Sequence, residues 1–174
     1  RIIELKKVRR VGVGNAITLV FENRDTVLFQ IQEMVRIERL VDEARIVQEI
    51  EVYNSLIPDS GELSATLFIE LQGREELHPA LEQLVGLDQH VSLHIGDDVV
   101  IPAQFESGRA REGLISSVQY LRFPFTNEQQ TAFGNDRGAV SIVIDHPHYH
   151  AQAILSGETL AELARDFERS SLGG

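Results

Sequence analysis

Apolar and polar positions change period several times along the chain, and each change marks an element. In "NAITLVFENRDTVLF" (15–29), Ile17, Leu19 and Phe21 alternate with Thr18, Val20 and Glu22, the period of a strand. Glu22-Asn23-Arg24-Asp25 reads as a charged turn, and Thr26–Phe29 as a second short extended run. Ile31, Met34, Val35, Ile37, Leu40, Val41 and Ala44 then recur at three- and four-residue steps, one apolar helix face from about 30 to 45. Glu33/Arg36, Arg39/Glu43 and Asp42/Arg45 stand at helical spacing on its other side. Ile46, Ile50 and Tyr53 open a new stripe, which predicts a kink or a second helix before Pro58 and Gly61 end the segment.

Downstream, "SATLFIEL" (64–71) is an apolar strand. "HPALEQLVG" (78–86) is a short helix, with Pro79 in its first turn and Gly86 as its stop. "HVSLHIG", "DVVIPAQF" and "SSVQYLRFPF" read as a three-stranded meander, with a tight Gly96-Asp97-Asp98 link and an open Glu106–Gly113 loop. "TNEQQTAFG" (126–134) carries a helix start in Thr126 and Gln129 and a stop in Gly134. "GAVSIVI" is a buried strand that leads into "DHPHYH" (145–150) and a short run, Ala151–Leu155. Leu160, Leu163, Ala164 and Phe167 share one face of a last helix, and 170–174 is expected to fray. The expected fold is α+β: a single domain over 1–174, on a largely antiparallel sheet. A long or kinked helical segment (about 30–54) packs on one face, and a C-terminal helix follows.

Composition narrows the functional classes. The chain of 174 residues has no cysteine, which excludes disulfides, thiol catalysis, a thiolate-held haem and an iron–sulfur cluster bound by this chain. The net charge is -11. Residues 1–13 are nevertheless basic through Arg1, Lys6, Lys7, Arg9 and Arg10, and read as a solvated arm on an acidic body. Such a body repels nucleic acid and anionic lipid. No apolar run is long enough to span a bilayer, and a cytoplasmic location is the default expectation.

"GVGNA" (12–16) precedes a strand rather than opening a helix, so its glycines read as turn residues and not as a dinucleotide fingerprint. Two groups of side chains hold candidate chemistry. The first is charged: Glu22, Asn23, Arg24, Glu33 and Arg36 crowd a turn and the helix after it, either as an anion-binding site or as a salt-bridge network. The second is the histidine set. His90 and His94 would share a strand face, as would His148 and His150 in extended chain, and with Asp145 and His146 they form a candidate metal-ligand set. Asp-His-Pro is equally good turn chemistry at a strand end.

"FENRDT" (21–26), "QEMVRIER" (32–39), "YNSLIP" (53–58), "ATLFIE" (65–70), "YLRF" (120–123) and "IDHPHY" (144–149) together resemble an uncharacterised bacterial family, domain of unknown function family 3501. The family has no established activity. Its genes often stand beside those of a rubrerythrin-like protein and an iron–sulfur oxidoreductase of heterodisulfide-reductase type, so the resemblance implies redox or oxidative-stress physiology. Its Asp-His-Pro-x-Tyr pattern maps onto Asp145, His146, Pro147 and Tyr149, with His148 at the variable position and His150 outside.

Two functional expectations result, and the residues leave open whether the chain is an enzyme. The first is a soluble, non-catalytic accessory or binding protein that works with redox partners. It would form a homodimer or a complex through the charged 22–39 region. The second is a small enzyme or metal-binding protein. Its polar centre would be Asp145, His146 and Tyr149, within reach of Glu22 and Arg24, with His146 as proton-transfer group or ligand and Asp145 orienting it.

Overall fold

The computed structural model describes residues 1–39, 41–71, 74–106, 115–134 and 138–173. Leu40 and all but the first residue of the expected Glu106–Gly113 loop lie outside them. Fifteen elements follow in order: α1 (Ile2–Val8), β1 (Arg10–Val13), β2 (Ile17–Glu22), α2 (Arg24–Glu38), α3 (Glu43–Asn54), β3 (Glu62–Ile69), α4 (Arg74–Gln83), β4 (Val91–Ile95), β5 (Val99–Pro102), β6 (Gln104–Phe105), β7 (Val118–Pro124), α5 (Asn127–Gly134), β8 (Val140–His146), β9 (Tyr149–Ile154) and α6 (Gly157–Gly173).

The fold is α+β, with strictly antiparallel pairing in two sheets rather than one. The first sheet has the order β1-β2-β3-β7-β6 and the second β5-β4-β8-β9. The expected meander is divided between them. β4 and β5 pair in the second sheet, whereas β6 pairs with β7 in the first. Alternation places Ile17, Leu19, Phe21, Leu67, Leu121 and Phe123 of the first sheet in one core with Leu93, Ile95, Ile142 and Ile144 of the second. β1 lies beside β9 and β5 beside β7, so the two sheets nearly enclose that core.

The outer face of the first sheet carries the helices. Val27, Ile31 and Leu56 pack there with Val35, Ile50, Tyr53 and Tyr120. The break expected in the helical segment is real: Arg39 closes α2 in the left-handed region (φ 50°), and Asp42 caps α3 by accepting from the Ala44 amide at 3.1 Å. Glu33 and Arg36 pair at 2.7 Å, but the break removes the helical spacing between Arg39 and Glu43.

Three other expectations are corrected. The run Thr26–Phe29 is helical, because Asn23 and Thr26 form a reciprocal cap that starts α2 at Arg24. Pro79 lies inside α4, which begins five residues earlier, at Arg74. The Thr126/Gln129 box forms as expected, and α6 runs from Gly157 to Gly173. The basic segment 1–13 is not an arm, since it folds as α1 and β1.

Arg9, between those two elements, is wholly buried. All five of its N–H groups are used. Nε donates to the Phe21 carbonyl (2.8 Å) and Nη2 to the Glu22 carbonyl (3.3 Å). Nη1 donates to Glu162 (3.0 Å) and Asp166 (3.2 Å), and Nη2 completes a two-pronged pair with Asp166. One guanidinium thus ties α6 to the end of β2. The Thr159 hydroxyl donates to the Val8 carbonyl at 2.7 Å and ties α6 to α1. Replacing Arg9 with methionine strands two carboxylates at a buried site. We expect a loss of about 3–5 kcal/mol in urea unfolding, the range for breaking one side of a buried pair.

Candidate functional site

Asp145, His146 and Tyr149 each make a side-chain bond. β8 runs through Asp145 and His146, and β9 starts at Tyr149, so Pro147-His148 is a two-residue hairpin link rather than a turn leaving the sheet. Pro147 supplies the preset φ of a first turn position. His146 is buried. Its Nε2 lies 2.9 Å from the Val85 carbonyl, and its Nδ1 accepts from the His148 amide at 3.1 Å. These two bonds select the tautomer with hydrogen on Nε2. The Tyr149 hydroxyl accepts from the Ala16 and Ile17 amides (3.1 and 3.2 Å) and donates to the Val13 carbonyl (2.5 Å). It clamps the second sheet onto the β1–β2 turn. Gly14 in that turn has φ +78°, and a Cβ there would stand 2.4 Å from the Tyr149 oxygen.

Asp145 points to solvent and pairs across the strands with His150 at 2.8 Å, both side chains being exposed. The expected His90/His94 pair does not form on one strand face, because β4 begins after His90. His90 packs edge-on against His146, with centroids 5.2 Å apart, while His94 contacts Ser92 Oγ at 2.8 Å. His148 lies in the turn, so it shares no extended face with His150. Among the described residues, no three His, Asp or Glu side chains are placed to hold one metal ion.

The charged group also separates. Glu22 and Asn23 are buried, whereas Arg24 is exposed and Glu33–Arg36 is a surface pair. Tyr149 meets β2 at its first residue and Glu22 is its last, so the two sites stand roughly 16 Å apart along the strand.

Glu22 is the unusual member. Its side chain lies on the outer face of the first sheet, under α2, opposite Ser64 and diagonal to Thr66. Oε2 accepts from the Gln30 amide nitrogen at 2.9 Å. Among the described residues, Oε1 has no partner, and neither have Asn23 Nδ2 and Thr66 Oγ1. Burial pushes the carboxyl up to about 7, outweighing the lowering by Lys6, Thr26, Arg9 and Gln30.

Beside this cluster, α1, α2 and α6 enclose a groove of about 850 Å³, a volume typical of ligand sites. Ile2, Leu5 and Val8 of α1 form its floor, with Leu28 and Phe29 of α2 and Ala161 of α6. Glu4, Asp25, Glu158 and Glu162 line it against two cations, Arg1 and Arg165. Glu162 is held from behind by Arg9, so the buried ion cluster sets one wall. The sequence pattern alone does not reveal this site, because it places Arg9 in a basic, solvated segment. The available signal was Asp166, a carboxylate on the same face of α6 as Thr159 and Leu163, which requires a buried cation.

A family model described as "Protein of unknown function (DUF3501)" matches residues 1–167. The chain belongs to this family. A crystal structure of a novel protein of unknown function from Burkholderia pseudomallei K96243 is similar to this chain at 36% identity with a TM-score of 0.86. The similarity covers 95% of this chain and 87% of that one. No curated protein matches. In this DUF3501 chain Tyr149 joins the two sheets, His146 bonds the Val85 carbonyl and its own turn, and Asp145 pairs with His150 within the second sheet.

Tyr149→Phe leaves the Val13 carbonyl and two amides without the hydroxyl. Denaturant unfolding should fall by about 1–3 kcal/mol. A second prediction concerns pH. With its pKa raised in the fold, Glu22 keeps a proton that the unfolded chain releases, so its stabilising share is complete below about 4.5 and lost as pH rises to about 7. Wild type should lose on the order of 3 kcal/mol relative to Glu22→Gln across that window in paired urea titrations, and parallel curves would refute it.

Proposed function

We propose that the chain is a non-catalytic accessory protein that holds a partner protein in the groove between α1, α2 and α6. One observation carries this reading: the groove combines an apolar floor with an excess of carboxylates on its walls. It fits a partner segment whose apolar ridge is flanked by basic side chains, in keeping with an overall charge of -11. α2 supplies part of the floor, which supports a contact that includes part of the 22–39 region. Leu28 there is half exposed.

The redox association implied by the family resemblance enters here as the class of partner. A chain without cysteine contributes no thiol or cluster of its own, so its part beside an iron–sulfur or rubrerythrin-like protein is to bind and position. The alternative, a catalytic or metal centre at Asp145, His146 and Tyr149, has less support. His146 has both ring nitrogens engaged, Tyr149 makes three bonds, and Asp145 turns away to His150.

A photocrosslinking residue at Leu28, compared with one at Ile154, which is exposed on β9, tests the proposal in native cells. Position 28 should capture a redox protein through a basic, apolar segment, position 154 should not, and Ala161→Arg should abolish the capture. Crosslinks only to a second copy of the chain, or equal capture at both positions, would overturn it.

A further inference from the structure

The FENRDT stretch remains without a role beyond its cap, although it contains the least well satisfied buried groups of the described chain. Glu22 is fully buried, one of its oxygens has no partner, and Thr66 Oγ1 is unpartnered on the same face of the sheet. An ionised carboxylate with an orphan oxygen in such a place is costly, and the chain can relieve it by taking up a proton or by opening to water. The surroundings limit which opening is available. Lys6 of α1 and Arg9 approach Glu22 as cations, and Thr26 and Gln30 approach it from α2. Ser64 and Thr66 lie on β3, and Arg122, in register beyond Ser64, is engaged by Glu62. The backbone carbonyl of Glu22 is fixed by Arg9, so the strand is anchored. α2, which starts one residue after the Asn23 cap, is the element placed to yield.

We propose that Glu22 is a proton-controlled latch for α2, closing the helix over the first sheet when protonated and loosening it when ionised. Because α2 supplies Asp25, Leu28 and Phe29 to the groove, the latch sets whether that wall is complete. Binding would then favour the protonated chain. This meaning for binding rests on the groove reading above, whereas the latch itself is read in the free protein.

The test is amide hydrogen exchange of the free, full chain between about pH 5 and about pH 7.5, corrected for the intrinsic pH dependence of exchange. The opening constant of the α2 amides Val27–Met34 should rise at least tenfold, and that of the α6 amides Leu160–Asp166 should change much less. Glu22→Gln should be flat on α2. A wild-type change below about threefold on α2, or a Glu22→Gln chain that keeps the wild-type rise, would overturn the latch. If Glu22→Gln does not fold, carbon-detected NMR titration of the wild-type Glu22 carboxyl decides. A midpoint near 7 supports the latch, and one below about 5 overturns it. An intact exchange switch with no capture at Leu28 would remove the groove reading alone. Capture without the switch would remove the latch alone.

Discussion

The rest of the structure depends on a charge in the protein interior. A guanidinium without water is tolerated only when every N–H finds an acceptor and its charge is matched. Arg9, at the α1–β1 junction, meets both conditions by drawing on two distant parts of the chain: the last two carbonyls of β2 and two carboxylates of α6. The requirement is geometric, because a fork of five donors accepts only one arrangement of partners. Hydrophobic contact alone would let α6 slide over the sheets. The Arg9 cluster fixes its position, and Phe167, the residue after Asp166, adds aromatic contacts with Phe125 and Phe133.

Both candidate features lie next to this anchor. The groove exists because α6 is held at one distance from α1 and α2, with Glu162 shared between its wall and the Arg9 cluster. Glu22 meets Arg9 through its carbonyl but sends its side chain the other way, under α2. Two neighbouring polar groups therefore end differently. Arg9 is fully paired and rigid, while Glu22 is half paired and close to a neutral titration. Within the helical layer, α2 over Glu22 buries Thr26, Val27, Ile31 and Met34, whereas none of the twelve residues of α3 is buried.

Legibility from sequence differed by element. Strong local signals carried through: the alternation of β2, the slip in apolar register that separates α2 from α3, the Thr126–Gln129 box, and the apolar face of α6. Errors clustered where a local signal was read with the wrong partner. Asn23 looked like turn chemistry because a cap and a turn use the same side-chain acceptor, and only the Thr26 reciprocal bond separates them. The histidines looked like ligands because spacing along a chain says nothing about where ring nitrogens point. In the fold His146, His94 and His150 turn to a carbonyl, a hydroxyl and a carboxylate in three places.

The sequence by itself determined the fold class, the helical layer, the acidic charge, the exclusion of cysteine chemistry and the family. These rest on period, composition and motif, which are properties of neighbouring residues. Tertiary structure alone decided that one expected sheet is two, that Arg9 is a core residue, that Tyr149 is a clamp, and that Glu22 is buried without a full set of partners. Each of those depends on residues far apart in the chain, up to 157 positions for Arg9 and Asp166. Burial and pairing are settled only when distant segments meet, and no local pattern records which of several charged residues will be enclosed.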